Sequence, residues 1–154
     1  MIHHRFALSL ALLGFLIWGA TASHAADNLA AGRLAVHGYD PVAYFDGTPT
    51  KGQASLSAKS AGAVYHFANE ANRAKFEADP AKYTPAYGGW CAWAMLDGEE
   101  VDIDPMTFKI ADGKLLLFYN GFWGNTLPKW NEKANAEGED TLLSQAGAHW
   151  KKLQ

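Results

Sequence analysis

Cys91 is the sole cysteine in 154 residues, and it stands in "YGGWCAWAM", Tyr87–Met95, after two glycines and between Trp90 and Trp93. One cysteine cannot close a disulfide within its own chain. Its remaining roles are a packed core residue, a metal ligand, a reactive thiol or half of an intermolecular disulfide. Gly88 and Gly89 let the backbone turn tightly. If a helix starts after them, Cys91 falls in its first turn, where unpaired N–H groups and the helix dipole favour a thiolate. Met95 then lies at i+4 on the same face. If the stretch is extended instead, Cys91, Trp93 and Met95 share one face with period two. Both geometries place thiol and thioether on one side. Such soft sulfur donors select copper(I), with an imidazole to complete the set. Against this stands the plain alternative that cysteine and methionine are common core residues.

Beyond the first 25 residues there are three histidines: His37 in "VHGYDPVAYF", His66 in "VYHF" and His149 beside Trp150. None forms an H-x-x-x-H pair and there is no C-x-x-C, so a metal site must be assembled from separate segments. The candidate ligand set is Cys91, His37, His66 and Met95, for copper or zinc. Tyr39, Asp40, Trp90, Trp93 and Asp104 are candidate supporting residues. In "EEVDIDP", Glu99, Glu100, Asp102 and Asp104 offer carboxylates, and Asp102 and Asp104 share a face if the segment is a strand. The chain carries no G-x-S-x-G, Walker loop or dinucleotide fingerprint, which leaves hydrolase, nucleotide and NAD readings without support.

The N-terminus has the form of an export signal. "MIHHRF" carries Arg5, "ALSLALLGFLIWGA" is apolar, and "SHA" ends the stretch with small residues. This predicts a signal peptide over 1–25, cut after Ala25, and a periplasmic or secreted protein. The apolar run is shorter than the roughly 20 residues a spanning helix needs, so no stable membrane insertion is expected after cleavage. Losing Arg5 from the 13 basic residues leaves 12 against 16 acidic ones. With no basic block, nucleic acid is not an expected partner.

Residues 26–154 contain no linker or repeat and are expected to form a single domain. Three Asp-Pro pairs, at 40–41, 79–80 and 104–105, each suit the start of a helical turn. "GAVYHF" suggests a strand, and "NEANRAKFEADP" a helix capped by Asn69 that buries Phe76. "MTFKIADGKLLLFYN" is expected to be a hairpin over 106–119, turning at Asp112-Gly113 through a type I′ turn. Its alternation sets Phe108 and Ile110 against Lys109. "LPKWNEKANAEG" and "EDTLLSQAGAHWKK" suggest terminal helices. The expected fold is α+β, a small antiparallel sheet covered by short helices and a C-terminal helical segment.

"GYDPVAYF", "AVYHFANEANRAKFEADPAKYTPAYGGWCAWAM" and "DIDPMTFKIADGKLLLFYN" together resemble the exported YHS-domain proteins, including those of the YHS-domain (seleno)protein type. The resemblance runs from about Gly38 to about Trp150. It implies that selenocysteine stands at the position of Cys91 in some members, which suits a nucleophilic, redox or soft-metal role. It also implies an association with metal handling. Two departures are visible. The short metal-transporter modules carry further cysteines that this chain lacks, and Tyr65-His66 is followed by Phe67, so the third letter of the family name is unmatched.

Three functions follow as expectations. The first is a periplasmic protein that binds a soft metal ion through Cys91 with His37, His66 and Met95. The second is a single-thiol redox protein in which Cys91 works with a redox partner protein, because no resolving cysteine is present. The third is a non-catalytic interaction module with an aromatic recognition surface.

Overall fold

The computed structural model describes residues 26–154; the expected signal peptide, 1–25, lies outside them. Two short strands, β1 (Leu29–Ala30) and β2 (Leu34–Ala35), open the chain, followed by β3 (Gln53–Ser60) and β4 (Ala63–Phe67). They form a sheet in the order β1-β2-β4-β3. β3 and β4 are antiparallel, while β2 joins β4 in parallel at Leu34 and Val64. Helix α1 (Glu70–Ala78) follows, capped as expected: the Asn69 side chain accepts from the Asn72 amide at 2.9 Å. Asp79 caps the single turn α2 (Pro80–Tyr83) by accepting from the Lys82 amide. A 3-10 turn over Ala86–Gly89 then leads to α3 (Ala92–Met95).

The hairpin consists of β5 (Asp104–Ala111) and β6 (Lys114–Phe118), close to the expected bounds. Asp112 and Gly113 both have positive φ, 48° and 68°, as a type I′ turn requires. A small second hairpin, β7 (Asn120–Gly121) with β8 (Gly124–Asn125), leads into α4 (Leu127–Glu137) and α5 (Glu139–Leu153). The architecture is α+β, as the patterning indicates.

Strand β6 divides the core. Leu115 and Leu117 point to one side, against Tyr44, Tyr65, Phe67, Phe76 and Cys91. Leu116 and Phe118 point to the other, against Met95, Trp130, Leu142 and Ala146. All four β6 side chains are fully buried, which is why "LLLF" is a continuous apolar run rather than an alternating one. β5 keeps the alternation. Phe108 and Ile110 pack on the first cluster, while Lys109 pairs with Glu139 at 2.6 Å.

The three Asp-Pro pairs do different things. Asp40 is fully buried and accepts from the Val42 and Ala43 amides at one oxygen. Its other oxygen accepts from the Ala68 amide at 2.9 Å and from Asn72 Nδ2 at 2.7 Å. One carboxylate thus starts the 3-10 turn Ala43–Asp46 and ties it to the junction of β4 with α1. At Asp104-Pro105 the expected helical turn is replaced by the start of β5. The Asp104 side chain instead accepts from the Met106 amide, Thr107 Oγ1 and Asn120 Nδ2. Pairing with β6 supplies partners that an isolated turn lacks.

Candidate functional site

The glycines of "YGGWC" do turn the chain. Tyr87, Gly88 and Gly89 all have positive φ, from 54° to 84°. Trp90 is extended again, and Cys91 caps α3 with φ −58° and ψ 119°. The Cys91 amide donates to the Val101 carbonyl at 2.9 Å, and its backbone bridges to Leu117 of β6. Cys91 is therefore extended on its N-terminal side and helical on its C-terminal side.

Its sulfur meets two polar groups. The Tyr119 amide donates to Sγ at 3.3 Å, and Thr126 Oγ1 lies 3.5 Å away. The Thr126 hydroxyl donates to the Tyr119 carbonyl at 2.9 Å, so the lone pairs of Oγ1 are left for the sulfur side. A protonated Cys91 donates to Thr126 and accepts from Tyr119. Once the proton leaves, the Tyr119 amide remains as the donor that holds the sulfur in place.

Cys91 has no solvent exposure as a residue, yet it forms part of the wall of a cavity of about 210 Å³. These two observations describe a thiol beneath a cavity floor rather than on an open surface. Trp93, Tyr119, Thr126 and Val101 line the same cavity, and Asp97, Glu99 and Trp123 stand at its exposed rim. Trp123 is 80 % exposed and stacks edge-on against Phe122, which is 88 % exposed, with ring centroids 4.8 Å apart. The β7–β8 tip thus presents two aromatic rings next to the thiol cavity.

The expected ligand set is not brought together. His37 Nε2 pairs with Asp102 Oδ1 at 3.0 Å. His66 lies on β4, its Nδ1 3.6 Å from where a Gly38 side chain would begin. Met95 is packed in the second cluster, whereas Cys91 belongs to the first. The expectation that thiol and thioether share a side is therefore corrected. It assumed that Cys91 is wholly helical or wholly extended, whereas a capping residue directs its side chain away from the i, i+4 face. Among the described residues no three His, Cys, Asp or Glu side chains are placed to hold an ion.

The supporting candidates are also dispersed. Trp93 lines the thiol cavity, but Trp90 donates from Nε1 to the Ala26 carbonyl at 2.9 Å. Tyr39 stacks under Lys51, whose Nζ is 5.1 Å from the ring centroid. Asp40 and Asp104 are structural brackets, as described above. His149 is beside the Met95 carbonyl at 3.3 Å. Glu99 reaches the cavity rim, and Asp102 and Asp104 bind different groups because residues 99–103 form no regular strand. The sequence reading missed Tyr119, Thr126 and Trp123. Only Trp123 had a visible signal, two aromatic residues in the glycine-flanked turn "NGFWGN".

Asp102 is the charged centre nearest the His37 turn. Partial burial alone would push its carboxyl up, but Asn28 Nδ2, the Ile103 amide and the His37 ring together hold it below the usual carboxylate range. A depressed folded value contributes stability above the unfolded value, near 3.9, that is lost as pH falls through the folded one. Asp102→Asn is therefore expected to show a stability deficit around pH 5 that shrinks as pH falls below about 4. Urea titrations across this range check it, and a deficit that does not change with pH contradicts it.

Comparisons with protein-family models, with curated proteins and with solved structures found no match to this chain.

Proposed function

We propose that this chain is an exported domain of the YHS type that works through the single thiol of Cys91. The observation that carries the reading is the sulfur's setting: an amide and a hydroxyl fix it beneath the floor of a small cavity, with no second soft donor lining that cavity. A core filler needs no polar partners, and among the described residues no group of three His, Cys, Asp or Glu side chains stands ready to hold an ion. Thiol–disulfide exchange with a partner needs one sulfur.

In that step the Cys91 thiolate attacks one sulfur of a partner disulfide. A Cys91–partner S–S bond forms, the partner's S–S bond breaks, and the departing thiolate takes a proton from water. A second partner thiol then attacks the mixed disulfide and restores Cys91. The proton of Cys91 itself passes to water, since the Thr126 hydroxyl beside it accepts a hydrogen bond but is too weak a base to keep a proton.

The test is capture of a small disulfide such as cystamine by the native protein, read by intact mass. One adduct per chain is expected, absent in Cys91→Ser and reversed by added thiol. Native protein that stays unmodified while the unfolded chain reacts overturns the reading. A second reading, a module that recognises a partner protein, rests on the exposed Phe122–Trp123 pair. It predicts that Cys91→Ser retains partner binding and that Trp123→Ser loses it.

A further inference from the structure

The wall of the Cys91 cavity carries a single sign of charge. Asp97 and Glu99 both line it, and no lysine, arginine or histidine does. The two carboxylates stand on the turn that closes α3, where the Asp97 and Glu99 amides both donate to the Ala94 carbonyl, at 3.0 and 3.1 Å. Gly98 between them has φ 75°, the left-handed conformation that lets the chain reverse there. Ala94 itself lines the cavity, so both carboxylates are pinned beside it rather than carried on a free loop.

Asp97 and Glu99 are exposed, and no ion pair among the described residues engages either of them. The other acidic residues of this segment stand off the wall: Glu100 is exposed, and Asp102 is paired with His37. The second segment of the wall, residues 119–126, contains no charged side chain. Lys129, the lysine nearest to it along the chain, is exposed on α4 and does not line the cavity.

A ligand of this cavity meets two demands. The sides formed by Trp93, Val101 and Tyr119 suit methylene groups, whereas the rim attracts a cation and repels an anion. The volume of about 210 Å³ admits one short arm. We propose that the disulfide taken by Cys91 is a small aminoalkyl disulfide, its ammonium held by Asp97 and Glu99 while its nearer sulfur meets Sγ. This rests on the thiol reading above and adds the substrate class to it. In the step, the Cys91 thiolate attacks the nearer sulfur and a mixed disulfide to the aminoalkyl arm forms. The original S–S bond breaks, and the far aminoalkanethiolate leaves and takes a proton from water. The Cys91 sulfur is oxidised and the departing half is reduced.

Rates of mixed-disulfide formation by the native protein, purified after export, test this with three probes: dicationic cystamine, neutral hydroxyethyl disulfide and dianionic dithiodiglycolate. Each rate is divided by that of mercaptoethanol with the same disulfide, which removes the probes' intrinsic reactivity. In about 10 mM salt, cystamine is expected to exceed the neutral probe about fivefold or more, and dithiodiglycolate to fall below it by a similar factor. In about 0.5 M salt, and in Asp97→Asn/Glu99→Gln, the three corrected rates are expected to converge to within about twofold. Glu70→Gln/Glu77→Gln on α1 changes the net charge equally and is expected to keep the order. If Asp97→Asn/Glu99→Gln fails to fold, the salt series on the unaltered protein decides. Equal corrected rates with all three probes, or an order that survives Asp97→Asn/Glu99→Gln, overturn the substrate class and leave the thiol reading standing. No adduct from any probe, while the unfolded chain reacts, overturns both.

Discussion

Asp40→Ala is expected to lower the unfolding free energy by roughly 3–5 kcal/mol, about as much as breaking a buried charge network costs. The carboxylate is fully buried and accepts four hydrogen bonds from two parts of the chain. Alanine leaves the Val42 and Ala68 amides and the Asn72 side chain facing an apolar methyl, each deprived of its acceptor. Asp40→Asn is informative because it keeps the shape. Its NH₂ group must face donors on one side, so it should recover only part of the loss. Equilibrium urea unfolding measures both variants. A loss below about 1 kcal/mol for alanine would show that water replaces the carboxylate and that the bracket is not a fixed unit.

The other large effect belongs to Trp130. Trp130→Ala is expected to cost about 3–5 kcal/mol, the range for deleting a large buried aromatic. The ring is fully buried and packs edge-on against Phe118 with centroids 5.7 Å apart. Its Nε1 donates to Glu139 Oε1 at 2.8 Å, the same oxygen that pairs with Lys109. Removing it opens a cavity between β6 and the last two helices and unseats Glu139. Since Thr126 immediately precedes α4, loosened docking of α4 also disturbs the hydroxyl beside Cys91. Trp130→Phe should recover most of the packing but not the hydrogen bond. Thermal unfolding followed alongside thiol alkylation rate separates the two consequences.

The local features were legible in the sequence because each depends on neighbours along the chain. The Asn69 and Asp79 caps, the Asp112-Gly113 turn and the alternation of Phe108, Lys109 and Ile110 all occur where the residue types place them. The site was legible only in part. Cys91 could be singled out, but its partners come from residues 119 and 126, brought to it by the β6 strand and the β7–β8 turn. Nothing at sequence separations of 28 and 35 marks a backbone amide as a sulfur partner. Cys91 and Met95 look like neighbours in either regular geometry, and a change of geometry at Cys91 itself is what parts them. Asp104-Pro105 misled for a similar reason, because its acceptors are spent on Thr107 and Asn120 rather than on a helical turn. The parallel pairing of β2 with β4 had no signal either, since β2 is only two residues long.

The central claim is that Cys91 is a working thiol and not a sealed core atom. The most direct measurement is its rate of alkylation by iodoacetamide in the native protein, against the same chain unfolded in urea, with Cys91→Ser as the blank. A working thiol predicts native alkylation within about a hundredfold of the unfolded rate, and with a bulky maleimide slowed far more by the small cavity above the sulfur. Native protein that reacts only as fast as it globally unfolds, with both reagents slowed alike, contradicts the claim and returns Cys91 to the core.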